Sequence, residues 1–460
     1  MDKLSSGVWD RRRGDVVLHY WVLLIVVLLV IASGGSADSA VSPKETIIDV
    51  APVWAGHPVG FALLTHGDRQ FVSFYDAERK LTVGSRAVSE NTWHFVKLPE
   101  AVGWDSHNYI TMALDDEGCI HLCANMHANP LVYFRTTKPG DIDSFVRFMH
   151  MTGKNEERCT YPSFFRGPGN EFLFTYRSGY SGNGEQYYNV YDAKSRKWHR
   201  LMDQPLTTGE GHMNAYLTPM RLGADGYYHI AWVWRDNGGC ETNHDVSYAR
   251  SKDLIHWEAG SGRKLELPIT VANADIVDPV PAKGGAINGN VCLGFDSQKR
   301  VVVSYQKYDE KGFTQIYNAR LEQGHYAIYK TSSWDYRWDF SGGGAISFEV
   351  GLGPVSVGKD GRLTQSYRHM KYGNGHWILD EATLKPIDDI RDSAPPAHPH
   401  KTMEAPDNTL EARRCGDIGS SGKSGVRYEL RWETWGVNRD KKRDGTPPPP
   451  SMMKLVRIES

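Results

Sequence analysis

Between Trp104 and Arg177 the chain gathers polar side chains that strand formation does not require. His107 sits in Trp104-Asp-Ser-His-Asn-Tyr109, a turn before an expected strand, and His127 in Asn125-Met-His-Ala-Asn-Pro130, which follows the next strand. Tyr161 lies in Thr160-Tyr-Pro-Ser163 at the opening of another strand. Arg177 lies in Thr175-Tyr-Arg-Ser-Gly-Tyr-Ser-Gly182 at the end of the one after. Imidazoles and phenols exchange protons with a bound molecule, and a guanidinium holds an anion through a planar, permanently charged fork. Taken singly, each has a plainer use: the His as a turn residue, the Tyr before Pro as packing, the Arg as a carboxylate's partner. Only an architecture that brings these turns to one face makes them a site. Hydrolysis would call instead for two carboxylates flanking a bond, and Asp105 and Glu185 lie near enough to supply them.

A second cluster, Cys240-Glu-Thr-Asn-His244, offers two zinc ligands four residues apart, which is half of a closed structural site. His212, His256 or Cys292 would have to complete it, and a buried thiol beside a hydrogen-bonded imidazole explains the pair equally well. The sequence contains no Gly-rich phosphate loop, no His-Glu-x-x-His helix and no Gly-x-Ser-x-Gly elbow.

The elements that must carry these groups repeat along the chain. Asp115-Asp-Glu-Gly118 leads into Cys119-Ile-His-Leu-Cys-Ala, Gly223-Ala-Asp-Gly226 into Tyr227-Tyr-His-Ile-Ala-Trp, and Gly358-Lys-Asp-Gly361 into Arg362-Leu-Thr-Gln-Ser-Tyr367. Each is a turn rich in Asp and Gly followed by period-two alternation, the signature of a hairpin strand. Later strands end near a Trp, as in Asp192 to Trp198 and Ser251-Lys-Asp-Leu-Ile-His-Trp257. The latter reads as a degenerate Asp-box, in which an Asp caps its own loop and a Trp packs beneath. No helical period of ten residues follows the N-terminal segment. Irregular recurrence of this unit predicts an all-β propeller, seven blades of four strands, with a two-sheet sandwich as the alternative. Residues 38–460 form one such domain, a solvated, Pro-rich loop spans 441–451, and Met453-Lys-Leu-Val-Arg-Ile458 is a terminal strand able to close the ring.

Of the 460 residues 40% are hydrophobic, enough for a large core, and 11% are aromatic, a share that often accompanies carbohydrate binding. Lys plus Arg number 53 against 55 for Asp plus Glu, which excludes a nucleic-acid binder relying on overall basic charge. Arg11 to Arg13, the apolar run Val16–Ala32 and the small residues 33–37 make residues 1–37 a signal peptide, cut after Ala37, or an uncleaved signal anchor. Either places the remainder outside the cytoplasm: secreted, periplasmic or at the cell surface, with a membrane reached only through that anchor. A monomer is expected. Cys119 and Cys123 share a strand face about 13 Å apart, too far to bridge, and read as core.

Several phrases resemble the BNR-repeat-containing propeller family, which includes ulvan lyases of the seven-bladed type. They are Val50-Ala-Pro-Val-Trp54, Gly56-His-Pro-Val-Gly60, Asp105-Ser-His-Asn108, Asn125-Met-His127, Thr160-Tyr-Pro162, Phe174-Thr-Tyr-Arg177, Gly182-Asn-Gly184, Trp232-Val-Trp-Arg235 and Cys240-Glu-Thr-Asn-His244. The likeness spans most of residues 45–390, and the Pro-rich tail has no counterpart in it. It implies a lyase acting on an acidic, uronate-containing polysaccharide by β-elimination, with no cofactor needed for catalysis; the structural zinc at Cys240 and His244 is an option that rests on that residue pair alone. By the same resemblance Arg177 neutralises the sugar carboxylate, His107 is the general base or acid and Tyr161 its complement. His127 and Tyr216 are positioning groups, and Asn125 and Arg235 contact substrate. A glycoside hydrolase in the same groove and a non-catalytic glycan-binding propeller are the rival readings. A sialidase-like set of Arg135, Arg177, Arg235, Arg368 and Tyr367 does not fit in order or context.

Overall fold

A computed structural model describes residues 44–392 and 410–459. The expected signal or anchor at 1–37 lies outside them. Among the described residues the strands assemble into seven antiparallel sheets, and the only helices are two three-residue 3-10 turns, Ile142–Ser144 and Cys240–Thr242. The architecture is an all-β propeller. Strand Ala62–His66 packs beside Thr111–Leu114, which packs beside Cys159–Arg166; in the following sheets Asn183–Asp192 packs beside Asn214–Leu217, Tyr228–Arg235 beside Val291–Phe295, and Val291–Phe295 beside Ser356–Val357. Glu411–Gly416 returns to Ala62–His66 and completes the circle, with a parallel bridge from Leu63 to Asp417.

The closing sheet joins the two ends of the chain. Strand Lys44–Val53 pairs along its length with Ser451–Glu459, which pairs in turn with Val426–Thr434. The expected terminal strand therefore closes the ring by covering an edge that would otherwise be unpaired. The uniform four-strand unit does not hold: four sheets have four strands, two have five and one has seven. One extra strand matters for the site. His127–Asn129 leaves its own sheet and pairs with Cys159–Arg166 of the next, through His127 to Thr160 and Asn129 to Cys159.

The local repeats fold as their turn chemistry dictates. Asp115 accepts from the backbone N–H groups of Glu117 and Cys119, and Asp296 does the same for Gln298 and Arg300. Two blades carry the motif one step further. Asp115 holds His121, which meets the Tyr133 hydroxyl, and Asp225 holds His229, which meets Tyr248. Burial lowers the pKa of both imidazoles, His121 to about 4, so these are neutral, structural histidines. In the Asp-box, Asp253 Oδ1 accepts from the N–H groups of Ile255 and His256, Ser251 caps Leu254, and Trp257 is buried beneath. All six cysteines are free; Cys119 and Cys123 are buried, Cys123 as a member of the largest hydrophobic cluster.

Candidate active site

His107, His127, Tyr161, Ser181, Tyr216 and Arg235 line one cleft, with Gly344–Ile346 and Phe348 on its far wall; its volume is about 640 Å³ counting the open mouth. Asp105 organises the imidazoles. Its carboxylate accepts from His107 Nδ1 at 2.8 Å through one oxygen and from His127 Nδ1 through the other, so both Nε2 atoms are left for the cleft. The two rings stack with centroids 4.2 Å apart. Asp440 Oδ2 lies 3.3 Å from the same His107 Nδ1. Burial would discharge His107, but its hydrogen bonds to Asp105 and Asp440 outweigh that and raise its pKa to about 9. His107 is thus an imidazolium at neutral pH. Asp105 is buried too, yet the two imidazoles hold its pKa well below the ordinary value.

The crossing strand His127–Asn129 and a bulge between Thr160 and Ser163 set the next group. Tyr161 occupies that bulge with φ +57°, a left-handed conformation that a bulky residue adopts only when its surroundings impose it. The turn aims its ring at the imidazoles, 5.8 Å from His107 and 6.5 Å from His127. Among the described residues its hydroxyl has no hydrogen-bond partner. Tyr216 stands 6.1 Å away. Its oxygen bonds Ser181 at 2.9 Å, Arg177 at 3.3 Å and Arg235 at 3.4 Å. Burial pushes the Tyr216 pKa up, but the two guanidiniums overcome it and bring it below the ordinary phenol value. Burial raises that of Tyr161 instead.

Arg177 requires a correction. It is 1% exposed and absent from the cleft wall. It lies behind the two phenols, 5.0 Å from the Tyr161 ring and 5.6 Å from the Tyr216 ring, and is bonded to Thr160 Oγ1. Gly184 admits its stem, since a Cβ there would come within 3.0 Å of Arg177 Cδ. The guanidinium that reaches the cleft is Arg235, steadied by the carbonyls of Asn237, Gly238 and Gly239. Asn125 is a second correction. Its left-handed backbone, φ +57°, turns the amide toward Glu100 and the Ala101 carbonyl, away from the cleft.

Cys240 and His244 do not fit a zinc site. His244 Nδ1 and Nε2 lie 3.0 and 3.1 Å from Asp245 and Asp236, while Cys240 packs with Ile287, Trp338, Phe340 and Val350. Neither His212, His256 nor Cys292 joins them in a ligand cluster. Among the described residues the one convergent trio of metal-ligating types is Asp105, His107 and His127, and its contacts are the N–H···O hydrogen bonds described above. Among the described residues no carboxylate lines the cleft: Asp105 bonds the imidazoles, and Glu185 is engaged with Tyr187 and Thr208. Sequence reasoning missed the far wall and Asp440, which meets Ser106 across 334 positions and left no local signal.

The sheets form an all-β propeller that presents imidazoles, two phenols and a guanidinium to one cleft. The chain belongs to the BNR repeat-containing family, whose model matches residues 69–334. Its fold is similar to that of the polysaccharide lyase Uly1, at 16% identity and a TM-score of 0.60 over 91% of this chain and 100% of the other. It is also similar to the polysaccharide lyase PL25 ulvan lyase, at 13% identity and 0.55 over 90% and 95%. A structure of that lyase bound to -[GlcA(1-4)Rha3S]- matches at 13% and 0.54. A stretch of 75 residues is 35% identical to the short isoform of an ulvan lyase from Alteromonas sp. (strain LOR), covering 15% of this chain and only 14% of that protein's length.

Proposed function

We propose that the protein is an exported lyase that cleaves uronic-acid-containing polysaccharides by β-elimination, on a propeller whose seven sheets are seven blades. The observation that carries this reading is a cleft with no carboxylate in its wall but with a charged imidazole, a guanidinium and two phenols of opposite proton affinity. A glycosidase needs two carboxyl groups across the bond, and among the described residues none lines this cleft. Elimination needs a cation to neutralise the sugar carboxylate, a base for the proton on the adjacent carbon and an acid for the leaving oxygen.

Arg235 and the His107 imidazolium face the cleft and meet the carboxylate, which lets negative charge build as an enolate. Tyr216, the phenol whose proton two guanidiniums loosen, takes the proton as its phenolate. The C–H electrons form the new double bond as the bond to the leaving oxygen breaks. Tyr161, which keeps its proton and has a free hydroxyl, protonates that oxygen. His127 holds the sugar against the stacked pair. In the sequence reading Arg177 neutralised the carboxylate; here it acts through Tyr216.

Incubating the protein with ulvan and other uronate polymers tests the reading, because the C=C–carboxylate of the product absorbs in the ultraviolet. Growth of that band supports elimination, whereas new reducing ends without it mean hydrolysis. Binding with neither would leave a glycan-binding propeller. His107→Ala should lower turnover by about 10²–10³-fold, the usual worth of one group placed to stabilise charge that develops in the transition state.

A further inference from the structure

We infer that Asp440 is a positioning residue for His107, delivered to the cleft by the C-terminal segment. The inference rests on the lyase reading for its consequence but not for its geometry. Asp440 lies on the segment 435–450, beyond the residues matched by the family model. Arg439 and Asp440 both adopt left-handed backbone, φ 54° and 57°, which turns the Asp440 side chain inward, where 9% of it is exposed.

Each of its oxygens has two uses. Oδ1 accepts from Ser106 N at 3.0 Å and Ser106 Oγ at 2.7 Å, fixing the turn that carries His107. Oδ2 accepts from Ala345 N at 2.7 Å and lies 3.3 Å from His107 Nδ1. Arg439 reinforces the same junction: its N–H bonds Ala345 O, and its guanidinium bonds Ser341 O and Gly343 O. Gly344 is required there, because a Cβ would lie 2.3 Å from Arg439 O and the backbone has φ +77°. One carboxylate therefore ties the His107 turn to the Gly344–Ile346 wall of the cleft, and its charge faces the imidazole.

The charged and titratable groups around His107 are Asp105 on its own turn, Asp440 on the C-terminal segment, His127 on the crossing strand and Tyr161 on the bulge. The nearby His57 is neutral, burial having lowered its pKa to about 4. Asp440 is thus one of two anions that keep His107 protonated with Nε2 aimed into the cleft. A nearby opposite charge shifts a pKa by about 1–3 units. Asp440→Asn should therefore lower the His107 pKa by about one unit, and the alkaline limb of lyase activity should fall with it.

The test is a ring-proton NMR titration of His107 in the full-length protein, assigned with His107→Gln, beside the pH profile of ultraviolet-monitored cleavage. Asp440→Glu keeps the charge and should stay nearer the parent value. Lys441→Gln, on the same segment but exposed, should leave His107 unchanged. A parental His107 titration in Asp440→Asn, or an equal shift in Lys441→Gln, overturns the inference. If Asp440→Asn does not fold, the same titration of Asp440→Ser, which also removes the charge, decides: a lowered His107 titration sustains the inference, and a parental one overturns it. If no uronate polymer is cleaved, the lyase reading fails, and the titration still decides whether Asp440 holds the proton on His107.

Discussion

Two guanidiniums of the same site do different work because one is walled off. Arg235 lines the cleft, whereas Arg177 is sealed behind Tyr161 and Tyr216. Arg235→Lys should raise KM and also lower kcat, since Arg235 both faces the cleft and bonds the Tyr216 oxygen. Arg177→Lys should act on kcat and raise the pH at which the base limb appears, because Tyr216 would lose the guanidinium hydrogen bond that helps loosen its proton. Steady-state kinetics against pH separate the two, and a KM effect confined to Arg177→Lys would reverse the assignment. The phenols give a second comparison. Tyr216→Phe and Tyr161→Phe each remove a proton-transfer group and should each cost about 10²–10⁴ in turnover. Retained activity in either excludes it from the chemistry.

At the scale of elements, the site depends on two departures from regular pairing. The strand His127–Asn129 crosses to the next sheet, and the bulge at Tyr161 lies beside it, so imidazole and phenol are set by one ladder, Thr160 with His127. The regular elements supply the rigidity behind them. Trp257 fills the space below the Asp-box and is fully buried. Trp257→Ala should destabilise the fold by about 3–5 kcal/mol, the range for truncating a buried aromatic, while leaving the cleft residues in place. Denaturant unfolding measures the loss, and a change within about 0.5 kcal/mol, the range for surface substitutions, would show that the Trp carries no packing load.

The whole molecule has an asymmetric response to pH. His57, His121 and His369 are buried and held near a pKa of about 4, with burial the leading cause in each. A chain that unfolds lets them rise to the ordinary histidine value of 6.5, so the unfolded state binds more protons between about 4 and 6.5. Stability therefore falls as pH drops through that window. His107 has the opposite sign: its contribution is complete below 6.5 and is lost as pH rises through about 9. Thermal melts should show a lower Tm at pH 5 than at pH 7, and a flat profile would mean the three histidines are solvated. Closure of the ring is the other global property. Deleting Lys44–Val53 exposes the edge of Ser451–Glu459 and should lower Tm and promote association, read by melting and light scattering.

The turn chemistry of Asp and Gly, the period-two strands, the terminal strand and the polar turns that carry His107, His127 and Tyr161 were legible from the residues, because each expresses itself within a few positions, whereas Tyr216 and Arg235 entered only through the family resemblance. What the tertiary structure decided lies in relations the chain does not encode locally. Arg177 and Arg235 both end strands near aromatic groups, and only packing determines which guanidinium water and ligand reach. Asn125 looked like a groove residue until its backbone turned the amide outward. Cys240 and His244 had ligand spacing, but among the described residues no third or fourth ligand joins them. Asp440, far along the chain, reaches the His107 turn because ring closure returns the C-terminal segment to the mouth of the early blades. Local sequence fixes side-chain types and strand alternation through short-range sterics and hydrogen bonding; which groups share a cleft, and which of them stay charged, follows from burial and long-range contacts that only the closed ring creates.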